Sequence, residues 1–404
     1  MEIDKRKVFM TACPIKNSVT LLLNKKGHIK LELFIFIILL SIVLFAILIS
    51  LKFPKDENNA FVVRQNNHLL VKSTNQRFRF LGGNHFNLLV KYLWGEFHGL
   101  TGEEVFKLSS EYNITVIRFW ATCSNRYWSD QCLYFGPNNW KHSREQFLQK
   151  FDELVNNAED YNIYLIPVLS DAYYTFKWMG SETKWNNTEI CQVDSDVNLE
   201  YKEFVKDVVT RYKDRGIILA WEIGNEGQRH CSSYEDLLNW YDDTANYIRG
   251  LDPNHLISTG ENNFGSLDKS KFKSVHLNEN IGLTSVHIYD EDLYKMTDTK
   301  MADTASDQIE QFVSYWTAVS HDELIKPVYF GEIGSYDIST SSKFYDDILK
   351  AAYYSDTDGI IIWSWLEGGE CDKPLTEGGS CITPTRAPII TEIISYWASR
   401  FNKT

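Results

Sequence analysis

The strongest constraint on this chain is an alternation. Between residues 78 and 365 eight short, almost uncharged runs recur: Phe78–Asn84, Thr115–Trp120, Tyr164–Leu169, Ile217–Ile223, Leu256–Thr259, Leu283–His287, Pro327–Glu332 and Gly359–Trp365. Stretches with helical spacing of apolar residues lie between them, at Glu103–Glu111, Arg144–Asp160, Leu199–Tyr212, Tyr234–Leu251, Thr304–His321 and Ser341–Tyr354, and Ala387–Phe401 closes the chain. A strand that is apolar on both faces must be covered on both, which implies a parallel sheet under helices. Eight such units over roughly 325 residues predict an α/β chain folded as a (β/α)8 TIM barrel with inserted loops. An open doubly wound sheet is the competing topology. It is disfavoured because no G-x-G-x-x-G or P-loop follows any run, and Gly82-Gly83-Asn84 lacks the spacing. Ahead of the barrel, apolar FVV and HLLV flank Gln65-Asn66-Asn67, so Phe61–Phe80 reads as a small β-hairpin.

Charge divides the chain unevenly. Residues 1–32 hold seven Lys and Arg against three acidic residues, a net of +4, which leaves −17 of the overall −13 on residues 33–404. Between them Leu33–Leu51 runs nineteen residues without a charge, almost enough at about 1.5 Å per residue to span a hydrocarbon core about 30 Å thick. The basic flank predicts a cytoplasmic tail at 1–32 by the positive-inside rule. A transmembrane signal anchor at 33–51, a polar stalk at 52–60 and the barrel at 61–404 follow. That is a single-pass type II membrane protein whose folded part is luminal or extracellular; secretion after cleavage is the alternative.

The cysteines fit this division. Cys13 precedes the anchor, and Cys123, Cys132, Cys191, Cys231, Cys371 and Cys381 follow it, an even number suited to an oxidising compartment. Pairing in sequence order (123–132, 191–231, 371–381) is the working expectation. Asn113, Asn186 and Asn402 begin glycosylation sequons. The acidic barrel argues against nucleic acid as a partner. No His-Glu-x-x-His or Cys-x-x-Cys suggests a metal, no cofactor fingerprint is present, and no G-x-S-x-G marks a serine hydrolase.

In a barrel, the C-terminal ends of the strands converge on one mouth. The fourth run leads into Asn225-Glu226 and the seventh ends in Glu332, each beside glycine. Two carboxylates delivered to one cleft are what hydrolysis of a glycosidic bond needs, one as acid/base and the other as nucleophile or as activator of water. Other ends supply Arg118, Asp171, His287, Tyr289 and Trp363.

With these motifs in hand (Val116-Ile-Arg118-Phe-Trp120, Trp221-Glu-Ile-Gly-Asn225-Glu226, His287-Ile-Tyr289, Phe330-Gly-Glu332-Ile-Gly334, Gly359-Ile-Ile-Ile-Trp363) the chain resembles glycoside hydrolase family 5 over roughly residues 61–400, and within it the endo-β-mannanases. The resemblance implies Glu226 as acid/base and Glu332 as nucleophile of a retaining double displacement. It implies that Asn225 binds the sugar 2-hydroxyl and that Arg118 and Tyr289 hold Glu332. His287 would orient Glu226 and the substrate, and Trp363 would floor the site. The implied substrate and partner is a β-linked polysaccharide, most simply β-1,4-mannan, with β-1,4-glucan or another β-glycoside as alternatives. A catalytically inactive carbohydrate-binding surface protein is the alternative of another class. Three positions depart from the mannanase pattern: Gly227 and Asp290 stand where proline is usual, and the third strand ends in Ser170-Asp171-Ala172. Tyr173, Tyr174, Trp178 and Trp185 form a candidate sugar platform, and the loop Leu366–Thr383 a candidate cleft wall.

Overall fold

The computed structural model describes residues 61–95, 99–122, 140–171, 188–229, 231–262, 268–290, 293, 306–335, 341–367 and 381–403. Contacts divide the chain into Met1–Asp56 and Glu57–Thr404, and all described residues belong to the second unit. The expected anchor Leu33–Leu51 lies outside them. Among the described residues, no helix is long and apolar enough to cross a membrane.

All eight expected strands form: β4 (Phe80–Asn84), β5 (Val116–Trp120), β6 (Tyr164–Val168), β7 (Ala220–Glu222), β8 (Leu256–Ser258), β9 (Thr284–Tyr289), β10 (Val328–Gly334) and β11 (Gly359–Ile362). They make one parallel sheet in the order β8-β7-β6-β5-β4-β11-β10-β9. The two outer strands meet at a lone parallel bridge, Ser258 to Leu283, which closes the barrel. Nearly every residue of these strands is buried, the signature that made them legible. The differences are at the ends. β9 and β10 run two residues further than expected, through Tyr289 and Gly334, whereas β11 stops at Ile362 and leaves Trp363 beyond the ladder.

The expected helices form within a few residues of their predicted limits, each with a local cause. Gly102–Glu111 opens on a capping box in which Thr101 and Glu104 satisfy each other's backbone N–H groups. Asp196–Tyr212 and Tyr234–Leu251 open on Ser195 and Ser233, whose hydroxyls accept from free N–H groups of the first turn. The long pattern after Thr304 resolves into Ser306–Ala318 and a π turn, Val319–Glu323. Two short helices, Leu88–Trp94 and Lys269–Val275, were not expected. The helices' apolar faces cover the sheet with side chains such as Trp240, Trp316 and Tyr345, none measurably exposed. Each side chain of this kind contributes about 1.5–3 kcal/mol by leaving water.

The N-terminal segment is more than a hairpin. β1 (Val62–Gln65), β2 (His68–Val71) and β3 (Gln76–Arg77) form a three-stranded antiparallel sheet. Asn66 sits at φ 56 in the tight turn between the first two strands, a conformation asparagine tolerates well. This sheet plugs the floor of the barrel. Asp358, which immediately precedes β11, accepts from Leu69 N (3.2 Å), Arg77 Nη2 (3.0 Å), Val328 N (3.1 Å) and His321 Nε2 (2.8 Å). One carboxylate thereby ties the small sheet to two barrel strands.

Candidate active site

At the opposite end the strands deliver their polar residues to one cleft. Beyond β7 the chain is held by its neighbours: Asn225 N donates to Ser170 O (2.7 Å) and Glu226 N to Gly260 O (2.9 Å). Glu226 takes φ 49, a left-handed conformation that costs a non-glycine residue about 1–2 kcal/mol and turns its carboxylate into the mouth. Gly227 follows because nothing larger fits: a Cβ there would lie 2.2 Å from the Tyr241 hydroxyl. That is the physical reason for one departure from the mannanase pattern. A second, Asp290, accepts a hydrogen bond from Ser335 Oγ and joins the ends of β9 and β10.

Glu332 is aimed by a bulge. In the β9–β10 ladder Phe330 pairs with Val286 and Glu332 with His287, so Gly331 is the extra residue. A Cβ at Gly331 would lie 2.9 Å from His287 Nε2, which explains the glycine before Glu332.

Arg118 is the hub. Its Nη1 donates to Glu332 Oε1 (2.9 Å) and Asn84 Oδ1 (2.8 Å), its Nη2 to Asn225 Oδ1 (2.8 Å), and its Nε to Glu222 Oε2 (2.9 Å). Burial opposes its charge, but Glu222 and Glu332 outweigh that and raise its pKa. Tyr289 donates to the other oxygen of Glu332. Both oxygens of the proposed nucleophile are thus held in place by donors.

Glu226 has different company. His287 Nδ1 lies 3.2 Å from its Oε1 and 3.7 Å from Glu332 Oε1, and Arg229 Nε lies 2.5 Å from its Oε2. Burial opposes a charged imidazole, yet Glu332 and Glu226 hold the His287 pKa above its ordinary value. One oxygen each of Glu226 and Glu332 lie within 4.8 Å of one another.

Two further carboxyl groups lie in this end of the barrel. Asp171 and Glu261 are both completely buried. Burial pushes each up to about 7, against hydrogen bonds from Asn225 to Asp171 and from Tyr241 and Gln228 N to Glu261. Trp363 is half-buried, stacked on Phe86 with ring centroids 5.5 Å apart and 6.0 Å from the Trp120 ring.

The structure therefore brings Arg118, Asn225, Tyr289 and Glu332 into one hydrogen-bonded group and sets the hydrogen-bonded Glu226–His287 pair beside it, His287 Nδ1 lying 3.7 Å from Glu332. Trp363 lies in an aromatic cluster whose Trp120 ring packs under the Arg118 guanidinium at 4.9 Å. Tyr173, Tyr174, Trp178 and Trp185 lie outside the described residues, as does most of the loop Leu366–Thr383. The Cys191–Cys231 disulfide forms as expected. Cys381 is disulfide-bonded, while Cys123, Cys132 and Cys371 lie outside the described residues. Sequence reasoning missed Glu222, Tyr329, Asn84, Arg229 and Glu261. Glu222 had a usable signal, since a charge inside the apolar run Ile217–Ile223 must be answered by another, and Tyr329 and Arg118 answer it. Among the described residues, two groups bring three metal-ligand-type atoms within 4.8 Å of one another, Glu226–His287–Glu332 and His68–His321–Asp358. In each, arginine already answers the carboxylate charge.

A family model described as glycoside hydrolase family 5 β-mannosidase-like matches residues 137–357, just over half of the chain. Mannan endo-1,4-β-mannosidase 8 of Oryza sativa is 26% identical over 313 residues, 68% of this chain and 77% of that protein. A probable mannan endo-1,4-β-mannosidase F of Neosartorya fischeri is 36% identical over 126 residues. Those cover 29% of this chain and 26% of the fungal protein, so the match spans about a quarter of that relative's length. A family 5 mannosidase structure from Rhizomucor miehei superposes with a TM-score of 0.66 at 18% identity, covering 86% of this chain and 99% of the other. An exo-β-1,4-mannosidase from an Opitutaceae bacterium superposes at 0.63 and 14% identity, covering 84% and 62%. At such identities the two superpositions establish the fold.

Proposed function

The chain belongs to glycoside hydrolase family 5, and from that premise we propose that it hydrolyses β-1,4-linked mannosyl bonds of a mannan with retention of anomeric configuration. The observation that carries this reading is the separation of the carboxylates. Oxygens of Glu226 and Glu332 within 4.8 Å of one another suit the about 5–5.5 Å spacing of retaining enzymes, too close for the about 6.5–9.5 Å that leaves room for an inverting enzyme's water.

Glu332, held by Arg118 and Tyr289, attacks the anomeric carbon. As that bond forms, the bond to the leaving oxygen breaks and Glu226 gives that oxygen its proton. Water then enters, Glu226 takes its proton, and the hydroxide displaces Glu332. Arg229, half exposed and beside Glu226, favours the ionised form needed in this second step, with its charge screened by water. Asn225 binds the 2-hydroxyl. Trp363, with Phe86 stacked behind it, gives the sugar's apolar face a surface.

The test is release of reducing ends by residues 54–404 from mannans and glucans, with the first-formed anomer followed by NMR. The expected result is β-product from mannan. Release of α-product first, or sugar binding without turnover, overturns the reading. Glucan hydrolysis exceeding mannan hydrolysis moves the substrate to a β-1,4-glucan.

The uncharged run Leu33–Leu51 and its basic flank support a second proposal, a type II anchor with the barrel in a lumen or outside the cell. The Cys191–Cys231 disulfide agrees with an oxidising compartment. Extraction of the full-length chain by alkaline carbonate would count against anchoring.

A further inference from the structure

The 2-hydroxyl ligand, Asn225, carries a primary amide, and an amide is useful only if the correct end faces the sugar. Oxygen and nitrogen have nearly the same shape, so packing alone does not choose between the two orientations. Here both ends are committed. Asn225 Oδ1 accepts from Arg118 Nη2 at 2.8 Å, and Asn225 Nδ2 donates to Asp171 Oδ1 at 3.0 Å. Rotating the amide would set its N–H groups against a guanidinium and its oxygen against a carboxyl group. Asp171 is completely buried and forms a parallel bridge with Asn225. The backbones of these segments are joined as well, by Asn225 N to Ser170 O. The geometry is therefore rigid from two adjacent strands.

We propose that Asp171 is a positioning residue for substrate recognition: by accepting one hydrogen of the Asn225 amide, it commits the other to the 2-hydroxyl of the sugar being cleaved. This rests on the glycosidase reading above and deepens it. It also assigns a purpose to the third departure from the mannanase pattern, the aspartate where the third strand ends. A carboxyl group suits the task better than an amide, because it presents an acceptor oxygen whether ionised or protonated. That matters at a position where burial lifts the pKa to about 7. Glu226, Glu332 and Arg118 are the charged groups acting on it.

The ligand class follows. It is a β-linked hexosyl unit bearing a free 2-hydroxyl, read by a single N–H of fixed direction. Asp171 acts through Asn225, so its loss should be felt only by substrates that carry that hydroxyl.

The experiment compares kcat/KM for an aryl β-mannotrioside with that for the same compound deoxygenated at C2 of the sugar next to the aryl group. The wild-type chain should prefer the hydroxylated compound by about 10²-fold or more, the scale of a donor whose bond strengthens in the transition state. Asp171→Ala should slow the hydroxylated compound about 30-fold or more and the deoxy compound by less than about threefold, collapsing the preference. Asp171→Ser, whose hydroxyl is too short to reach Nδ2, should do the same and guards against misfolding of the first variant. Asp171→Asn, which retains an acceptor, should restore most of the preference. Equal losses on both compounds in the Ala and Ser variants, or a preference neither variant changes, overturn the role of Asp171 while leaving the glycosidase reading intact. A wild-type chain that cleaves neither compound overturns both.

Discussion

The two ends of the barrel use the same side chains to opposite effect. At the floor, Asp358 and Asp252 are buried, and burial alone would raise their pKa values. His321, His68 and Arg77 outweigh it at Asp358, and His255 and Trp221 outweigh it at Asp252, so both are held below the ordinary carboxylate range. At the mouth, Asp171 and Glu261 are equally buried, but their hydrogen bonds do not compensate, and nearby Glu226 adds to the rise. The floor saturates its charges with donors and becomes a structural joint. The mouth crowds acids together and leaves protons movable near pH 7, the condition in which proton transfer is useful.

The sharpest way to break this contrast is at the mouth. Glu332→Gln or Glu226→Gln should lower kcat about 10³-fold, within the range for loss of a covalent or acid/base group, while the midpoint of thermal unfolding moves by less than about 3 °C. A variant that unfolds instead of merely losing turnover would place Glu332 with the structural charges.

The floor should respond the other way. Asp358→Ala removes the acceptor shared by His321 and the N–H groups of Leu69 and Val328, leaves Arg77 only Asp356, and should destabilise the fold by about 3–5 kcal/mol in denaturant unfolding. The remaining folded enzyme should keep its kcat. An Asp358→Ala chain as stable as wild type would show that the small sheet is not held by this joint.

The opposite pKa directions predict opposite pH slopes. Glu261 titrates higher folded than unfolded, so the unfolded chain releases this proton first and stability falls as pH rises from about 4.5 to about 7. Glu261→Gln should remove that slope, gaining about 1–3 kcal/mol at pH 8 and nothing at pH 4. Asp358 titrates lower folded than unfolded. Its contribution is present above the ordinary aspartate pKa and is lost as acid passes through the folded value. Denaturant titrations of wild type and Glu261→Gln from about pH 4 to pH 8 check the first sign, and of wild type and Asp358→Ala below about pH 4 the second; a gain by Glu261→Gln at pH 4 would refute the first. The smallest effect should come from Arg77→Ala, about 1 kcal/mol, because Asp358 keeps three other donors.

What the sequence disclosed follows the same division. The barrel strands were legible because burial on both faces leaves uninterrupted apolar runs. The third strand of the floor sheet, Gln76–Arg77, was not, because two polar residues carry no such pattern. At the mouth, Glu226 and Glu332 stood out as polar residues finishing apolar strands. Arg229 and Glu261 did not, since each sits in a connection, and only the fold brings Glu261 close enough to accept from Gln228 N at 2.7 Å. Asp171 was noticed as a departure, but its bond to Asn225 crosses 54 residues of sequence and has no local mark.

One joint of the barrel bears on the chemistry. β8 and β9 share a single bridge between Ser258 and Leu283. Glu226 stands on one side of that joint, and His287, Tyr289 and Glu332 on the other. Gly282 N and Leu283 N both donate to Ile257 O across it (2.9 and 3.2 Å), and side chains add Ser285 Oγ to Glu261 O (2.8 Å), Ser258 Oγ to Tyr329 (3.3 Å), and His287 to Glu226 (3.2 Å). The gap between the two carboxylates is therefore gauged in part by side-chain stitches across a seam, whereas pairs such as β9–β10, β5–β6 and β4–β11 are fixed by their ladders. Stereochemical fidelity in this enzyme is then a property of tailoring: loosening Ser285 or His287 would widen the gap toward room for a water, without touching either carboxylate.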